Sequence, residues 1–189
     1  MSKQAKIIIF ALILFASFLM KNCNEDYSTP KAKELPLINP KTTITYYPQP
    51  ENGHSPYNLF FNNGIYNNNT QNAFIIKNDN STDAVVLLVD AYSNRKIRNE
   101  YIRKGSTFSM TGVPNGTYYL RWISGNDWSP HLQVGNITGG FQTDLSFSET
   151  QDRSDWMKAD GLAEWTVTLY SASGGTVGVD NLNASEFTN

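Results

Sequence analysis

The sequence predicts an all-β protein, an antiparallel β-sandwich of about seven strands with at most one short helix. From about residue 72, short runs rich in β-branched and aromatic residues alternate with turn residues, which is typical of strands. Several of these runs also place apolar residues at every second position. Since the 189 residues include 1 cysteine, an intrachain disulfide is impossible and an apolar core must stabilise the fold.

The first strands are expected close together along the chain. Residues 74–76 predict a strand, and the polar cluster 78–81 predicts the turn that ends it. Residues 84–89 form a continuous apolar run with three valines, which indicates a strand buried on both faces and central in its sheet. Residues 97–103 carry more charge and indicate a strand near an edge, where charge deters pairing with other chains.

A turn and a second alternating run follow. Residues 107–113 predict a strand that leads into the turn Pro114-Asn115-Gly116, where we expect Gly116 to adopt a positive φ. Residues 117–123 alternate, so that Tyr118, Leu120 and Trp122 share one face of a strand. We expect residues 125–128 to form a loop.

The last part of the chain predicts two more strands and the one helix. Residues 141–147 form an alternating strand, and residues 165–169 form another, in which Trp165 is expected in the core, as is Trp122. Between these strands, Ser148-Glu149-Thr150-Gln151 fits a capping box, which predicts a short helix over residues 148–158.

A family resemblance accompanies this pattern. Gly105-Ser106-Thr107-Phe108 matches "G-x-x-F", and residues 113–120 match "V-P-x-G-x-Y-x-L", between apolar strands. The stretch from residue 83 to residue 120 therefore resembles carboxypeptidase regulatory-like (prealbumin-like) domains. The resemblance implies a β-sandwich that serves as a structural or binding module. After Leu120 the chain departs from the family pattern, because Trp122 and then Gly125-Asn126-Asp127-Trp128 stand where the family commonly has a Gly-Tyr turn.

The N-terminus has the order of a bacterial lipoprotein signal. Lys3 and Lys6 precede an apolar run over residues 7–20, and Cys23 follows it. This run of about 14 residues matches the apolar region of a signal peptide and falls short of the ~20 residues of a membrane-spanning helix. We therefore expect a signal peptide over residues 1–22 and a lipid (palmitate) on Cys23.

Two further features of the N-terminus bear on the expected cellular location. Residues 20–22, Met-Lys-Asn, depart from the usual Leu-Ala-Gly of a lipobox, whereas the acidic pair at 25–26 is similar to the surface-export signals of Bacteroidetes lipoproteins. The pattern predicts a cell-envelope protein, an outer-membrane lipoprotein that is periplasmic or surface-exposed, attached to the membrane through its lipid.

Residues 23–70 read as an extended linker. Most of the 8 prolines lie there, and proline disfavours helices and favours extended chain. Within it, residues 44–47 and 59–61 are apolar or aromatic, so they either pack on the folded domain or form a first strand. The β-sandwich domain is expected over residues 71–189.

Composition and motifs argue against several functions. The net charge of −2 provides no basic field for nucleic acid. The sequence contains no nucleophile elbow, no zinc-ligand spacing and no phosphate-binding glycine loop. We therefore expect no enzyme activity, no metal and no cofactor.

The candidate contact residues belong to two groups. Trp128 and Trp156 are predicted in loop-like positions, where a tryptophan either stacks on a ligand or closes the end of the sandwich. Arg95, Lys96 and Arg98 belong to a basic cluster that meets an acidic partner or lipid head groups, or that protects a sheet edge. Because no catalytic or metal motif is present, the sequence favours a non-catalytic interaction or accessory module that binds another envelope protein. The alternatives are a carbohydrate-binding or adhesive module, with Trp128 and Trp156 as its platform, and an enzyme of unrecognised type.

Overall fold

Two β-sheets pack face to face in the computed structural model of the protein, which describes residues 43–150, 152–170 and 179–189. The strands of this part of the chain are β1 (Ala73–Asn78), β2 (Asp83–Asp90), β3 (Lys96–Ile102), β4 (Ser106–Thr111), β5 (Gly116–Val134), β6 (Ile137–Thr150), β7 (Met157–Ala159), β8 (Glu164–Leu169) and β9 (Val179–Asn181). A 3-10 turn, Arg153–Asp155, and a short helix, α1 (Ala184–Thr188), complete the regular structure. The predicted all-β sandwich is thus confirmed.

The larger sheet is antiparallel, with the strand order β3-β2-β5-β6-β9. β7 pairs with the first residues of β5, beyond the point where β6 ends. β2 lies between β3 and β5, and its residues from Asp83 to Val89 are all buried, so the prediction of a central, doubly buried strand is confirmed. β3 lies at the edge, as its charge indicated.

The smaller sheet has the order β4-β1-β8, and its β1–β8 pair is parallel. This differs from the fully antiparallel arrangement that the sequence predicted. A parallel pair requires a long crossover connection, and β2 to β7 lie between these two strands in sequence. A short apolar run predicts a strand but not which strand it pairs with, so the sequence pattern did not predict the parallel pairing of β8 with β1.

The first core lies between the two sheets. Phe74 and Ile76 from β1 pack there against alternate residues of β2 and against Tyr118, Leu120 and Trp122 of β5. The predicted common face of these three β5 residues is confirmed. Trp165 faces the same side as its neighbour Phe74, yet its side chain is 38% exposed because β8 is at the edge of the described small sheet. The expectation that Trp165 belongs to the buried core is therefore wrong.

A second core covers the opposite face of the larger sheet. Val85, Leu87 and Val89, which alternate with the β2 residues of the first core, pack there with Tyr57 and with Phe187 of α1. The β5–β6 ribbon adds its own aromatic residues, and its pairing shifts register between Ser129 and Gln133. The second face is therefore covered by irregular chain, a ribbon and a short helix instead of a third sheet.

Residues 43–66, which we call the covering segment, contain turns but no strand. The backbone N–H of Gly53 donates to the Tyr101 carbonyl at 2.7 Å, and Tyr101 donates back to the carbonyl of His54 at 2.6 Å. Further along, Ile65 donates to the Ile97 carbonyl at 2.8 Å. These bonds satisfy the outer edge of β3, which removes a site for unwanted strand pairing.

The covering segment belongs to the packed unit, which extends over Thr42–Asn189. Its Tyr57 side chain is 0% exposed and donates a hydrogen bond to the Gly139 carbonyl at 3.0 Å. Of the apolar residues singled out in the linker, Phe61 packs on the second core, whereas Tyr46 and Leu59 are exposed, and none of them lies in a strand. β1 begins at Ala73, close to the domain boundary expected at residue 71. Tyr57, which precedes that boundary, is already buried in the domain. Cys23 and the expected signal peptide lie outside the described residues.

Two local expectations for the second half are wrong. Residues 125–128 lie inside β5, where pairing with β6 continues across a bulge instead of opening into a loop. Residues 148–150 belong to β6 and 157–159 to β7, so the helix expected over residues 148–158 is reduced to the 3-10 turn between them. The capping box of the structure is at α1, where Asn183 and Glu186 exchange hydrogen bonds.

The two glycines at residues 116 and 112 differ in conformation. The positive φ falls on Gly112, at 63°, and not on Gly116 as expected. At Gly116 a Cβ would lie 2.6 Å from the Tyr118 hydroxyl oxygen, so a side chain there would force the end of the Tyr118 side chain to shift.

Among the described residues, no helix is long and apolar enough to cross a membrane.

Candidate functional site

The turn between β2 and β3 presents an exposed aromatic side chain. The Asp90 carboxylate accepts hydrogen bonds from the backbone N–H groups of Tyr92 (3.2 Å) and Ser93 (2.8 Å), which fixes the turn. Burial alone would raise the pKa of Asp90, but a hydrogen bond from the Ser93 hydroxyl, the two backbone bonds and the nearby Arg95 charge hold it below its usual value. Tyr92 is 82% exposed, so an aromatic ring projects from an ordered turn.

Trp156 contacts two tyrosines beside this turn. Its ring meets Tyr92 edge-on at 5.9 Å and lies nearly parallel to Tyr119 at 6.4 Å between centroids. Trp156 is placed by the 3-10 turn before it and by β7 after it, which pairs with the start of β5. The Tyr119 hydroxyl donates to the Asn94 side chain at 2.8 Å. Three rings thus form one surface over the β2–β3 turn and β5.

Three cationic side chains surround these rings. The Arg153 guanidinium lies 5.3 Å from the Trp156 ring centroid, and that of Arg121 lies 5.5 Å from Tyr119. Lys96 and Tyr119 flank Val89 from opposite sides in register, so they point to the same face. We call this surface the aromatic–cationic patch; it comprises Tyr92, Lys96, Tyr119, Arg121, Arg153 and Trp156.

Lys96 has an unusual environment within the patch. Burial and the neighbouring Arg121 charge lower the pKa of its amine to about 8. Its amine donates to the Asn94 carbonyl at 3.3 Å, and it takes part in neither of the described ion pairs, whereas Arg121 is paired with Glu149 at 2.8 Å. An acidic group bound here would compensate the Lys96 charge.

Arg98 does not belong to an exposed basic cluster. Its side chain is 6% exposed and donates to the Glu100 carboxylate at 2.8 Å and to the Thr111 carbonyl at 2.9 Å. Burial raises the pKa of Glu100, although Arg98 and Ser55 oppose this effect. Arg98 therefore joins β3 to β4 inside the protein, and the prediction of a partner contact at this residue is wrong. Arg95 is exposed, on the same turn as Tyr92.

The structure separates the two candidate tryptophans. Trp128 is 7% exposed and packs against Tyr101 and Phe141 in the second core. Tyr119, which contacts Trp156, lies nine positions earlier on the same strand, about 30 Å away at the usual strand rise. Trp128 and Trp156 therefore do not form a common platform.

Trp128 instead lines a groove. A concave region of about 600 Å³ lies between residues 47–54 of the covering segment and the Trp128 and Pro130 side chains. The Tyr47 ring contacts His131 edge-on at 5.4 Å at this groove. The groove is the second surface whose residues suit ligand contact, and it lies at the opposite end of β5 from the patch.

Sequence reasoning identified only part of these surfaces. It selected Trp156 and Lys96 of the patch and Trp128 of the groove. It missed four members of the patch, Tyr92, Tyr119, Arg121 and Arg153. Tyr92 carried a signal, since an aromatic residue inside a polar turn has no core to enter. Tyr119 carried a weaker signal, as the outward-facing aromatic of an alternating strand. In the described part of the chain, no group of three or more His, Cys, Asp or Glu residues is placed to hold a metal ion.

Comparison with protein-family models, curated proteins and solved structures finds no match to the chain. Function is therefore inferred from the geometry of the patch and the groove.

Proposed function

We propose that the protein is a non-catalytic, lipid-anchored accessory module of the bacterial cell envelope that binds another envelope protein through the aromatic–cationic patch. One observation carries this proposal: three aromatic rings and three cations share one surface, with Tyr92 82% exposed. Tyrosine, tryptophan and arginine are the residues that most often dominate binding energy at protein interfaces. The proposed role also suits the resemblance to carboxypeptidase regulatory-like domains, which serve as structural or binding modules.

The patch favours a partner with acidic groups. Lys96 and Arg153 have no ion pair within the described residues, so an acidic surface would gain charge-assisted contacts from both. The ordered turn that carries Tyr92 limits the entropy lost on binding, because its backbone is already fixed by Asp90.

Site-specific crosslinking in cells tests the partner proposal. A photoreactive amino acid at position 92 should give one defined adduct with an envelope protein, and Trp156→Ala should reduce its yield at least tenfold. The matched control is position 46, because Tyr46 is also exposed, at 79%, and lies outside the patch. Equal adduct yields from positions 92 and 46, or a yield unaffected by Trp156→Ala, would contradict the proposal.

The pH dependence of partner binding gives a second readout. Lys96 is protonated below its pKa of about 8 and loses its charge as the pH rises through that value. Binding of an acidic partner should therefore weaken between pH 7 and pH 9, and Lys96→Met should remove most of this dependence. A titration of the purified complex at fixed ionic strength measures both.

The membrane attachment is tested separately. Lipid chains contribute about 0.8 kcal/mol per buried methylene, so two or three of them attach a protein stably. Cys23→Ala should abolish palmitate labelling and release the protein from the membrane fraction. Cys23→Ser is a second, independent variant for this test. A serine also lacks the thiol that accepts lipid, so both variants should lose labelling and membrane association. Labelling that persists in either variant would exclude Cys23 as the attachment site.

A further inference from the structure

The geometry points to a second binding site, for a neutral saccharide, in the groove between residues 47–54 and the Trp128 and Pro130 side chains. This site is independent of the aromatic–cationic patch and of the partner proposed for it. The volume of about 600 Å³ falls within the roughly 300–1,000 Å³ typical of small-ligand sites.

The walls of the groove provide flat apolar surface. Tyr47 is half-buried, with its ring edge-on to His131, and it is the aromatic side chain of the lining that remains partly exposed. Trp128 is 7% exposed and packs against Tyr101 and Phe141, so it adds only a small part of its indole to the groove. Pro48, Pro50 and Pro130 add rigid apolar side chains without hydrogen-bond donors. An aromatic face accepts the C–H bonds of a sugar ring, because the face is electron-rich and those hydrogens are weakly positive.

The groove also offers polar groups with spare hydrogen-bonding capacity. Glu51 and His54 are exposed on its lining, and their side chains make no hydrogen bond within the described residues. A carboxylate accepts hydrogen bonds from hydroxyl groups, and an imidazole both donates and accepts. A sugar has apolar C–H surface and hydroxyl groups. The aromatic side chain of the groove can contact the C–H surface, and the polar groups beside it can bind the hydroxyls. The Glu51 charge disfavours an acidic sugar.

The lining is held in place before any ligand binds. The Arg103 side chain donates to the Pro50 carbonyl at 2.9 Å, and its backbone N–H donates to the Asn52 side chain at 3.1 Å. The Gln49 amide donates to the Asp83 carboxylate, which also accepts from the Tyr101 hydroxyl at 2.6 Å. A lining fixed in this way loses little entropy on binding, which favours recognition of a small, rigid ligand.

Affinity electrophoresis of the full chain, isolated in detergent, tests this site. Native gels containing amylopectin, laminarin, galactomannan or arabinoxylan serve as probes, since all four are neutral and soluble. At least one should retard the protein, and calorimetry with an oligosaccharide of that glycan should then give a dissociation constant. Tyr47→Ala should raise this constant at least tenfold, and Tyr47→Phe, which keeps the ring, should leave it within about threefold, as expected for loss of ring stacking.

Two controls separate this site from the patch and from misfolding. Tyr92→Ala should leave glycan binding unchanged, and melting curves should show that the Tyr47 variants remain folded. Three outcomes would overturn the inference: no retardation by any of the four glycans, equal binding by Tyr47→Ala and the parent, or binding of a proline decapeptide in place of the glycans. Each of these results leaves the partner proposal for the patch intact.

Discussion

The two faces of the larger sheet are covered in different ways. One face packs against a second sheet, and the residues that meet there alternate along strands. The other face is covered by the covering segment, the β5–β6 ribbon and α1, with Tyr57 and Phe187 as its largest contributors outside the strands. Both candidate surfaces lie at this irregular layer, since Tyr119 and Trp128 pack on the second core. The regular face therefore holds the core between the sheets, and both candidate surfaces belong to the irregular face.

The largest effect is expected when the aromatic side chain that joins the covering segment to the sheet is removed. Tyr57→Ala should destabilise the protein by about 3–5 kcal/mol, because the side chain is fully buried and contacts Phe61, Trp128 and Phe187. Phe74→Ala in the first core should cost a similar amount. Denaturant melts compare the two variants.

Tyr46→Ala is the matched control for that comparison. Tyr46 lies in the same segment but is 79% exposed, so its loss should change stability by less than about 0.5 kcal/mol. A Tyr57→Ala variant as stable as Tyr46→Ala would mean that residues 43–66 form a tether and not a layer of the fold.

The buried ion pair between Arg98 and Glu100 of β3 lies where β3 contacts β4 of the smaller sheet. Arg98→Met should cost about 3–5 kcal/mol, because it leaves the Glu100 carboxylate buried without its cation. The double variant Arg98→Met/Glu100→Leu should recover most of that loss, since no unpaired charge remains. Equal stability of the single and double variants would show that Glu100 is solvated, contrary to its 1% exposure.

Gly125, inside the β5–β6 ribbon, and Gly116, at the start of β5, should tolerate a side chain to different degrees. A Cβ on Gly125 would lie 2.4 Å from the Phe141 Cβ and 2.7 Å from the Thr143 carbonyl oxygen, neither of which can rotate away. Gly125→Val should therefore cost at least about 1–3 kcal/mol, more than Gly116→Val, whose nearest obstacle is the end of the Tyr118 side chain. Thermal melts of the two variants give the order, and the reverse order would show that β5 is adaptable near residue 125.

The smallest expected effect concerns α1. The Asn183 side chain accepts hydrogen bonds from the backbone N–H groups of Ser185 and Glu186, both at 3.0 Å. Asn183→Ala should lose about 1 kcal/mol by removing this cap, whereas Asn183→Ser should retain most of the stability. A loss well above that of an ordinary cap would indicate that α1 and Phe187 detach from the second core together.

The regular part of the fold could be read from the sequence because its signals are local. Residues 84–89 are apolar without interruption, and residues 118–122 alternate, so burial and facing followed directly from period two. Gly125-Asn126-Asp127 looked like a loop because turn residues favour turns, whereas tertiary pairing with β6 keeps these residues in a bulged strand.

The irregular layer could not be read in the same way. Tyr57 follows a proline in a segment rich in turn residues, and nothing in its neighbours reveals that Asn99, far along the chain, accepts a hydrogen bond from its backbone N–H at 2.7 Å. Arg98 looked exposed because charged residues usually are, and its burial depends on Glu100 and on a carbonyl of β4. For the patch, Trp156 was a visible candidate, while its partners came together only through tertiary structure.

Hydrogen exchange of the full chain tests most directly whether the covering segment belongs to the folded core. The backbone N–H groups of Gly53, Tyr57 and Ile65 donate to Tyr101, Asn99 and Ile97 along the edge of β3. If the covering segment is part of the fold, these three amides exchange only on global opening, at rates close to those of the central β2 amides. Exchange of all three at the rate of a free peptide, with β2 still protected, would show that the covering segment is not part of the folded core.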